Sequence, residues 1–198
     1  MFFSELFSSI VQVILFSAIP FIWWLITSRK KESFFTWIGL KKSKGIDFWK
    51  LAILIIAMVA VFWIIDDISL QSMQNTETAT SVFSGKGVKA VPAIVVYAFF
   101  HTALSEEILF RGFLLKRLIT KLPFVVANII QAFCFGLIHG LEFLGEVNIS
   151  GAILLVLVIG SASYAEGYIN EKKAGGSIFP SWIIHGITNL LSGLIAAF

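Results

Sequence analysis

The strongest constraint on this chain is a series of long apolar runs that contain almost no charge. A run of about 18 or more apolar residues is typical of a transmembrane helix. Only 14% of the 198 residues are charged, against about 25% in soluble proteins. Six runs are near the required length: residues 6–27, 49–65, 90–115, 124–144, 151–168 and 178–197. The sequence therefore predicts an all-α fold, a multi-pass transmembrane helical bundle of about six spans.

The basic residues predict how this bundle sits in the membrane. Lys and Arg are enriched in cytoplasmic loops, and alternation of the spans puts 12 of the 15 basic residues on one side. Lys86 and Lys89 fall on the other side, and Arg111 lies within a span. We therefore expect a cell-membrane protein with both termini outside. The pI of about 9.0 reflects this topology, so no nucleic-acid partner is expected.

The first run lacks the basic flank and the small-residue cleavage site of a secretory signal, so we expect a retained membrane helix. The segment 28–50 that follows it mixes lysines with aromatic residues such as Phe34 and Trp37. Two interpretations of this segment remain open. It lies along the inner surface of the membrane, against anionic lipids, or it serves only as a topology anchor.

The third run carries three charged residues, Glu106, Glu107 and Arg111. A charge at the centre of a bilayer costs roughly 2.5–3.5 kcal/mol on insertion scales, so each of these residues needs a partner, water or a function. Helical spacing predicts that Glu107 pairs with Arg111 and that Glu106 turns away toward a cavity. The alternative is that all three form a network that only stabilises the bundle.

A histidine in the fourth run, His139, is predicted to lie level with Glu106. The two runs meet at a turn near Leu122 and Pro123, and each residue lies 16 positions from that turn. In an antiparallel helical hairpin, equal distances from the turn correspond to equal depth. For this reason a site role is favoured for His139 over a packing role.

The last run contributes His185 and Asn189, which share one helix face at i and i+4. Packing between helices is the alternative role for this polar pair. Together with Glu106 and His139, the pair supplies the side chains of a hydrolytic site from three helices. His101 lies five residues before Glu106 and is expected to be a secondary cavity or packing residue. A solvated inner loop is expected for Glu166, Glu171, Lys172 and Lys173.

These residues fall into three short motifs that resemble those of one membrane-protein family. The motifs are EExxxR at Glu106, Glu107 and Arg111; FxxxH at Phe135 and His139; and HxxxN at His185 and Asn189. All three resemble the motifs of the CPBP family, and they occur in the family's order. That family includes type II CAAX prenyl proteases and proteins of bacteriocin processing or immunity. The resemblance divides the chain into a variable N-terminal transmembrane region, 1–89, and a catalytic helical core, 90–198.

The resemblance implies an intramembrane endopeptidase that hydrolyses a membrane-associated peptide or protein tail entering from the cytoplasmic side. It implies that Glu106 and His139 activate water and that His185 and Asn189 complete the site. Glu107 and Arg111 would support the first motif. Zn²⁺ bound by Glu106, His139 and His185 is one possibility, and a metal-free mechanism is the other.

Two other functions remain open at this level. The polar cluster would also suit a non-proteolytic membrane regulator or immunity protein. A proton-coupled transporter is less favoured, because the six runs show no internal repeat.

Overall fold

The computed structural model describes residues 1–47, 49–60, 79–144 and 147–198, and these residues form seven helices and no β-strand. The helices are α1 (Phe2–Thr27), α2 (Phe34–Trp37), α3 (Trp49–Ala60), α4 (Gly87–Leu118), α5 (Phe124–Glu142), α6 (Ile149–Lys173) and α7 (Phe179–Ala197). Five of them, α1 and α4–α7, are long and apolar enough to cross a membrane. The predicted helical membrane bundle is confirmed.

The second predicted span is the one that the structure covers least. Residues 49–60 of the run 49–65 form α3, and residues 61–65 lie outside the described residues. Most of the polar loop that follows also lies outside them. The other five spans agree with the sequence-predicted runs to within a few residues, except where α1, α4 and α6 extend further.

Helices α5 and α6 form a close antiparallel pair. A Cβ on Gly136 would press against the backbone oxygen of Val156, and it would lie 3.0 Å from the backbone nitrogen of Gly160. Small residues allow two membrane helices to approach in this way. Buried amides reinforce the pair, since Gln131 donates to the Ser163 hydroxyl at 3.1 Å. This packing fixes the position of the α5 face that carries His139.

The central helix, α4, contains wide π-helical turns on both sides of Glu106. They span Tyr97–Leu104 and Ile108–Leu115, with Ser105–Glu107 between them. A π turn closes hydrogen bonds between residues five apart, and such turns are frequent at functional sites. The wide turns change which side chains share a face of α4, and this affects the position of His101.

Residues 28–47 fold back onto one end of the bundle. Trp37 and Ile38 are buried, and the amide of Ile178 donates to the carbonyl of Gly39 at 2.9 Å. Gly39 has φ of +83° and leaves no room for a side chain, because a Cβ there would lie 2.5 Å from the Gly176 oxygen. We call this end, formed by residues 28–47, 116–123 and 171–178, the lysine-rich end. The segment 28–47 therefore packs against the helical bundle. Neither interpretation of the sequence included this contact.

Candidate active site

One carboxylate, Glu106, lies between two imidazoles from different helices. Its Oε2 is 3.7 Å from Nε2 of His139 on α5 and 3.8 Å from Nε2 of His185 on α7. This oxygen is buried and has no hydrogen-bond partner among the described residues. The distances exceed those of direct hydrogen bonds and suit one bridging water. The predicted level register of Glu106 and His139 is confirmed.

The ring of His139 is oriented by its own helix. Its Nδ1 lies 2.8 Å from the carbonyl oxygen of Phe135, one turn earlier. A carbonyl oxygen can only accept, so this nitrogen carries a proton and Nε2 of the neutral ring is an acceptor. The Phe135 ring also packs on the imidazole, with ring centroids 4.5 Å apart. The FxxxH spacing thus turns the lone pair of Nε2 toward Glu106.

The ring of His185 is oriented by the second glutamate. Its Nδ1 is 3.5 Å from Oε1 of Glu107, and the same oxygen is 3.0 Å from NH1 of Arg111. The Ser181 hydroxyl donates a short hydrogen bond to the other oxygen of Glu107. Glu107 is completely buried. The predicted pairing of Glu107 with Arg111 is confirmed, and this pair holds the ring so that Nε2 points at Glu106.

Arg111 contacts a third carboxylate, that of Glu166, which was expected from the sequence to lie in a solvated loop. Its NH2 donates a short hydrogen bond to Oε2 of Glu166 on α6. Its guanidinium also lies over the Phe135 ring, 4.2 Å from the centroid. The expectation that Glu166 belongs to a solvated inner loop is wrong, since Glu166 is 4% exposed. The α6 helix continues to Lys173, and so Glu166 lies within a membrane helix, where its charge needs a partner.

Asn189 on α7 and His101 on α4 line the same cavity. Nδ2 of Asn189 donates to the Thr102 hydroxyl at 2.7 Å, and the second amide hydrogen remains available. Nδ1 of His101 lies 2.8 Å from Oε1 of Glu5 on α1. Of the two roles expected for His101, cavity or packing, the structure shows the cavity role, although residues five apart do not share one face of an α-helix. The π-helical turns bring residues five apart onto one side, so both side chains line the cavity.

All four predicted site residues line one cavity of about 470 Å³. It is bounded by α4–α7, by α1 and by the segment just before α4. Its polar lining residues include Thr80, His101, Glu106, His139, Glu142, Glu166, His185, Asn189 and Ser192. The sequence did not indicate a role at the site for Glu5, Thr102 or Ser181, and it did not indicate that Glu166 is a buried partner.

The types of side chain in this cluster suit zinc, but their placement does not form a complete ligand set. The described residues include no group of three His, Cys, Asp or Glu side chains arranged to hold a metal ion. The separations of Glu106 from the two imidazoles fit an intervening water. Zinc coordination therefore stays a prediction from the resemblance, and general-base chemistry is what the placed side chains support.

Comparison with family models gives one match over this region. The model described as Type II CAAX prenyl endopeptidase Rce1-like matches residues 88–191, just over half of the chain. The matched region contains all three motifs and every cluster residue from Glu106 to Asn189. Comparisons with curated proteins and with solved structures gave no significant match.

Proposed function

Because this chain belongs to the type II CAAX prenyl endopeptidase Rce1-like family, we propose that it is an intramembrane endopeptidase. It hydrolyses a membrane-associated peptide or protein tail at the cluster of Glu106, His139 and His185. The single observation that supports this reaction is the buried, unpartnered Oε2 of Glu106 between two imidazole nitrogens. A carboxylate in that position needs a bound proton donor, and a water molecule supplies one.

In the proposed mechanism, Glu106 is the general base. It takes a proton from the water as the water oxygen attacks the peptide carbonyl, and His139 accepts the second O–H and so orients that water. The carbon–nitrogen bond then breaks, and the proton held by Glu106 passes to the leaving amine. Proton transfer by a positioned side chain contributes about 10²–10⁴-fold to a rate.

The developing oxyanion needs hydrogen-bond donors in a place without bulk water. The free amide hydrogen of Asn189 is one candidate donor. The other is Nε2 of His185, which donates a hydrogen bond when it carries a proton. Removing one such donor costs about 10²–10³ in kcat in known enzymes. Arg111 acts through Glu107 and is a positioning residue in this account.

The test uses purified protein in lipid vesicles and a library of membrane-tethered fluorogenic peptides. Wild type should cleave at least one sequence, and Glu106→Gln should lower that rate by at least about 100-fold. Glu32→Gln is the matched control, because Glu32 is exposed and lies at the lysine-rich end. Equal rates for wild type and Glu106→Gln would remove Glu106 from the chemistry. A protein that binds peptides without cleaving any would instead support the regulator or immunity interpretation.

Zinc dependence is tested on the same preparations. Metal content is measured for wild type, His139→Ala and His185→Ala after purification without chelator. One zinc per chain in wild type, lost in both variants, would establish the metal site. Full activity in a metal-depleted preparation would establish the metal-free mechanism.

A further inference from the structure

A polar stripe runs along one face of the first membrane helix, α1. It consists of Glu5, Ser8, Ser9 and Gln12, which share a face at helical spacing, whereas most exposed side chains of α1 are large and apolar. Polar side chains within a membrane span face the protein interior or a water-filled cavity. Gln12 lines the same cavity as Glu106. Helix α1 therefore supplies part of the site, although the family match begins only at residue 88.

The polar stripe orients one side chain of α4, His101. Nδ1 of His101 lies 2.8 Å from Oε1 of Glu5. The Ser8 hydroxyl is 3.4 Å from the same nitrogen and donates to the Glu5 carbonyl at 3.0 Å. An ionised carboxylate only accepts hydrogen bonds, so Nδ1 carries a proton and Nε2 of the neutral ring is an acceptor. The Tyr97 ring also contacts the imidazole, with ring centroids 5.5 Å apart.

The pair of Glu5 and His101 does more than connect two helices. A hydrogen bond that only connects α1 to α4 needs no contact with the cavity. The His101 side chain is instead 27% exposed and lines the cavity. Among the described residues, no side chain or backbone group forms a hydrogen bond with its Nε2. The carboxylate thus orients an imidazole whose second nitrogen is available to a ligand.

The π-helical segment Tyr97–Leu104, which carries His101, is also held by α7. Nε1 of Trp182 donates to the Phe99 carbonyl at 2.6 Å. A Cβ on Gly186 would press into the Phe99 ring, so α4 and α7 are in close contact here. Contacts from both α1 and α7 therefore fix the position of His101, as a binding site requires of its side chains.

The helix also sets the distance between His101 and Glu106. The cavity follows α4, since Tyr97, His101, Thr102 and Glu106 all line it. Five residues of helix rise about 7 Å, and an extended peptide covers about 3.3–3.6 Å per residue. A peptide that lies along α4 with its cleaved bond at Glu106 therefore has a backbone group beside His101 about two residues from that bond.

We propose, on the basis of the proposed peptidase function, that His101 binds the substrate and that Glu5 is its positioning residue. Nε2 of His101 accepts a hydrogen bond from a backbone N–H of the peptide, about two residues from the bond that is cleaved. The contact is with the main chain, so it selects an extended peptide with a free N–H at that position. Proline, which has no backbone N–H, is disfavoured there.

The first test measures peptide binding, which needs no turnover. Immobilised Glu106→Gln protein is titrated in detergent with the fluorogenic library peptides, and the peptide with the lowest Kd is used. Adding His101→Ala should raise that Kd about 5–10-fold, the effect of one lost hydrogen bond. Glu5→Ala should act similarly and should add nothing to His101→Ala. Glu5→Gln, whose amide oxygen still accepts from Nδ1, should stay within about twofold, as should Glu32→Ala at an exposed control position.

The second test locates the contact on the peptide. Each backbone N–H is replaced in turn by N-methyl, and Kd is measured with and without His101→Ala. Methylation two residues from the bond that wild type cleaves should raise Kd about 5–10-fold with His101 present and have no effect with His101→Ala. An unchanged Kd for His101→Ala, or coupling only at other positions, would overturn the proposal. Binding that depends on His101 without cleavage by wild type would count against the peptidase function alone.

Discussion

Replacing Arg111 by Met should destabilise the bundle more than any surface substitution. The guanidinium is 1% exposed, forms an ion pair with Glu107 at 3.0 Å and donates to Glu166. Met keeps much of the apolar volume but leaves two buried carboxylates without a cation. Removing one partner of a buried ion pair costs about 3–5 kcal/mol, and loss of the contact with Phe135 adds about 0.5–2 kcal/mol. Together these contributions predict a loss of about 3.5–7 kcal/mol in the free energy of unfolding.

The measurement is reversible unfolding in mixed detergent micelles, followed by circular dichroism. Arg29→Met is the matched control, because Arg29 is exposed at the end of α1, and its change should stay within about 0.5 kcal/mol. Adding Glu166→Gln to Arg111→Met should recover part of the loss, because one uncompensated charge is removed. A loss below about 1 kcal/mol for Arg111→Met would refute the buried-network account. So would a double variant no more stable than the single variant.

Four further substitutions test other contacts. Asn189→Ala should lower kcat by about 10²–10³ with little change in KM, because its amide acts on the developing oxyanion; an equal loss through KM alone would point to substrate binding. Ser181→Ala should lower the free energy of unfolding by about 1–3 kcal/mol, because buried Glu107 loses a donor; an unchanged unfolding curve would contradict the hydrogen bond. Gly136→Ala should cost about 1–3 kcal/mol in the same assay, and Gly160→Ala should cost less, since its Cβ would lie 3.3 Å from the nearest atom. The reverse order would contradict the α5–α6 packing.

The fold class and the central cluster could be predicted from the sequence for simple physical reasons. Uncharged runs of membrane length leave few alternatives to a helical bundle. Charged residues inside such runs must find partners, and equal spacing from the turn at Pro123 set Glu106 level with His139. The separation of Glu106 from Glu107 followed from the angle between neighbouring residues on a helix.

The residues that could not be predicted depend on tertiary contacts and on departures from α-helical geometry. Glu166 lies near the end of the apolar run 151–168 and shortly before Lys172 and Lys173, so its sequence neighbourhood resembles the start of a solvated loop. Only its contact with Arg111, 55 residues away, identifies it as buried. For His101 the sequence leaves a cavity role and a packing role open, and it lines the cavity because π-helical turns replace the spacing of an α-helix. The pairing of Glu5 with His101 joins the first helix to the site and has no local signal.

Isotope incorporation shows whether the peptide is hydrolysed by a water molecule that Glu106 activates. Cleavage is measured in a single turnover, with enzyme in excess over peptide, in water enriched in oxygen-18. The masses of the products are then determined by mass spectrometry. One solvent oxygen should appear in the new carboxyl terminus of the wild-type product, and Glu106→Gln should give almost no product. A single-turnover product without solvent oxygen, or equal product from Glu106→Gln, would rule out this mechanism.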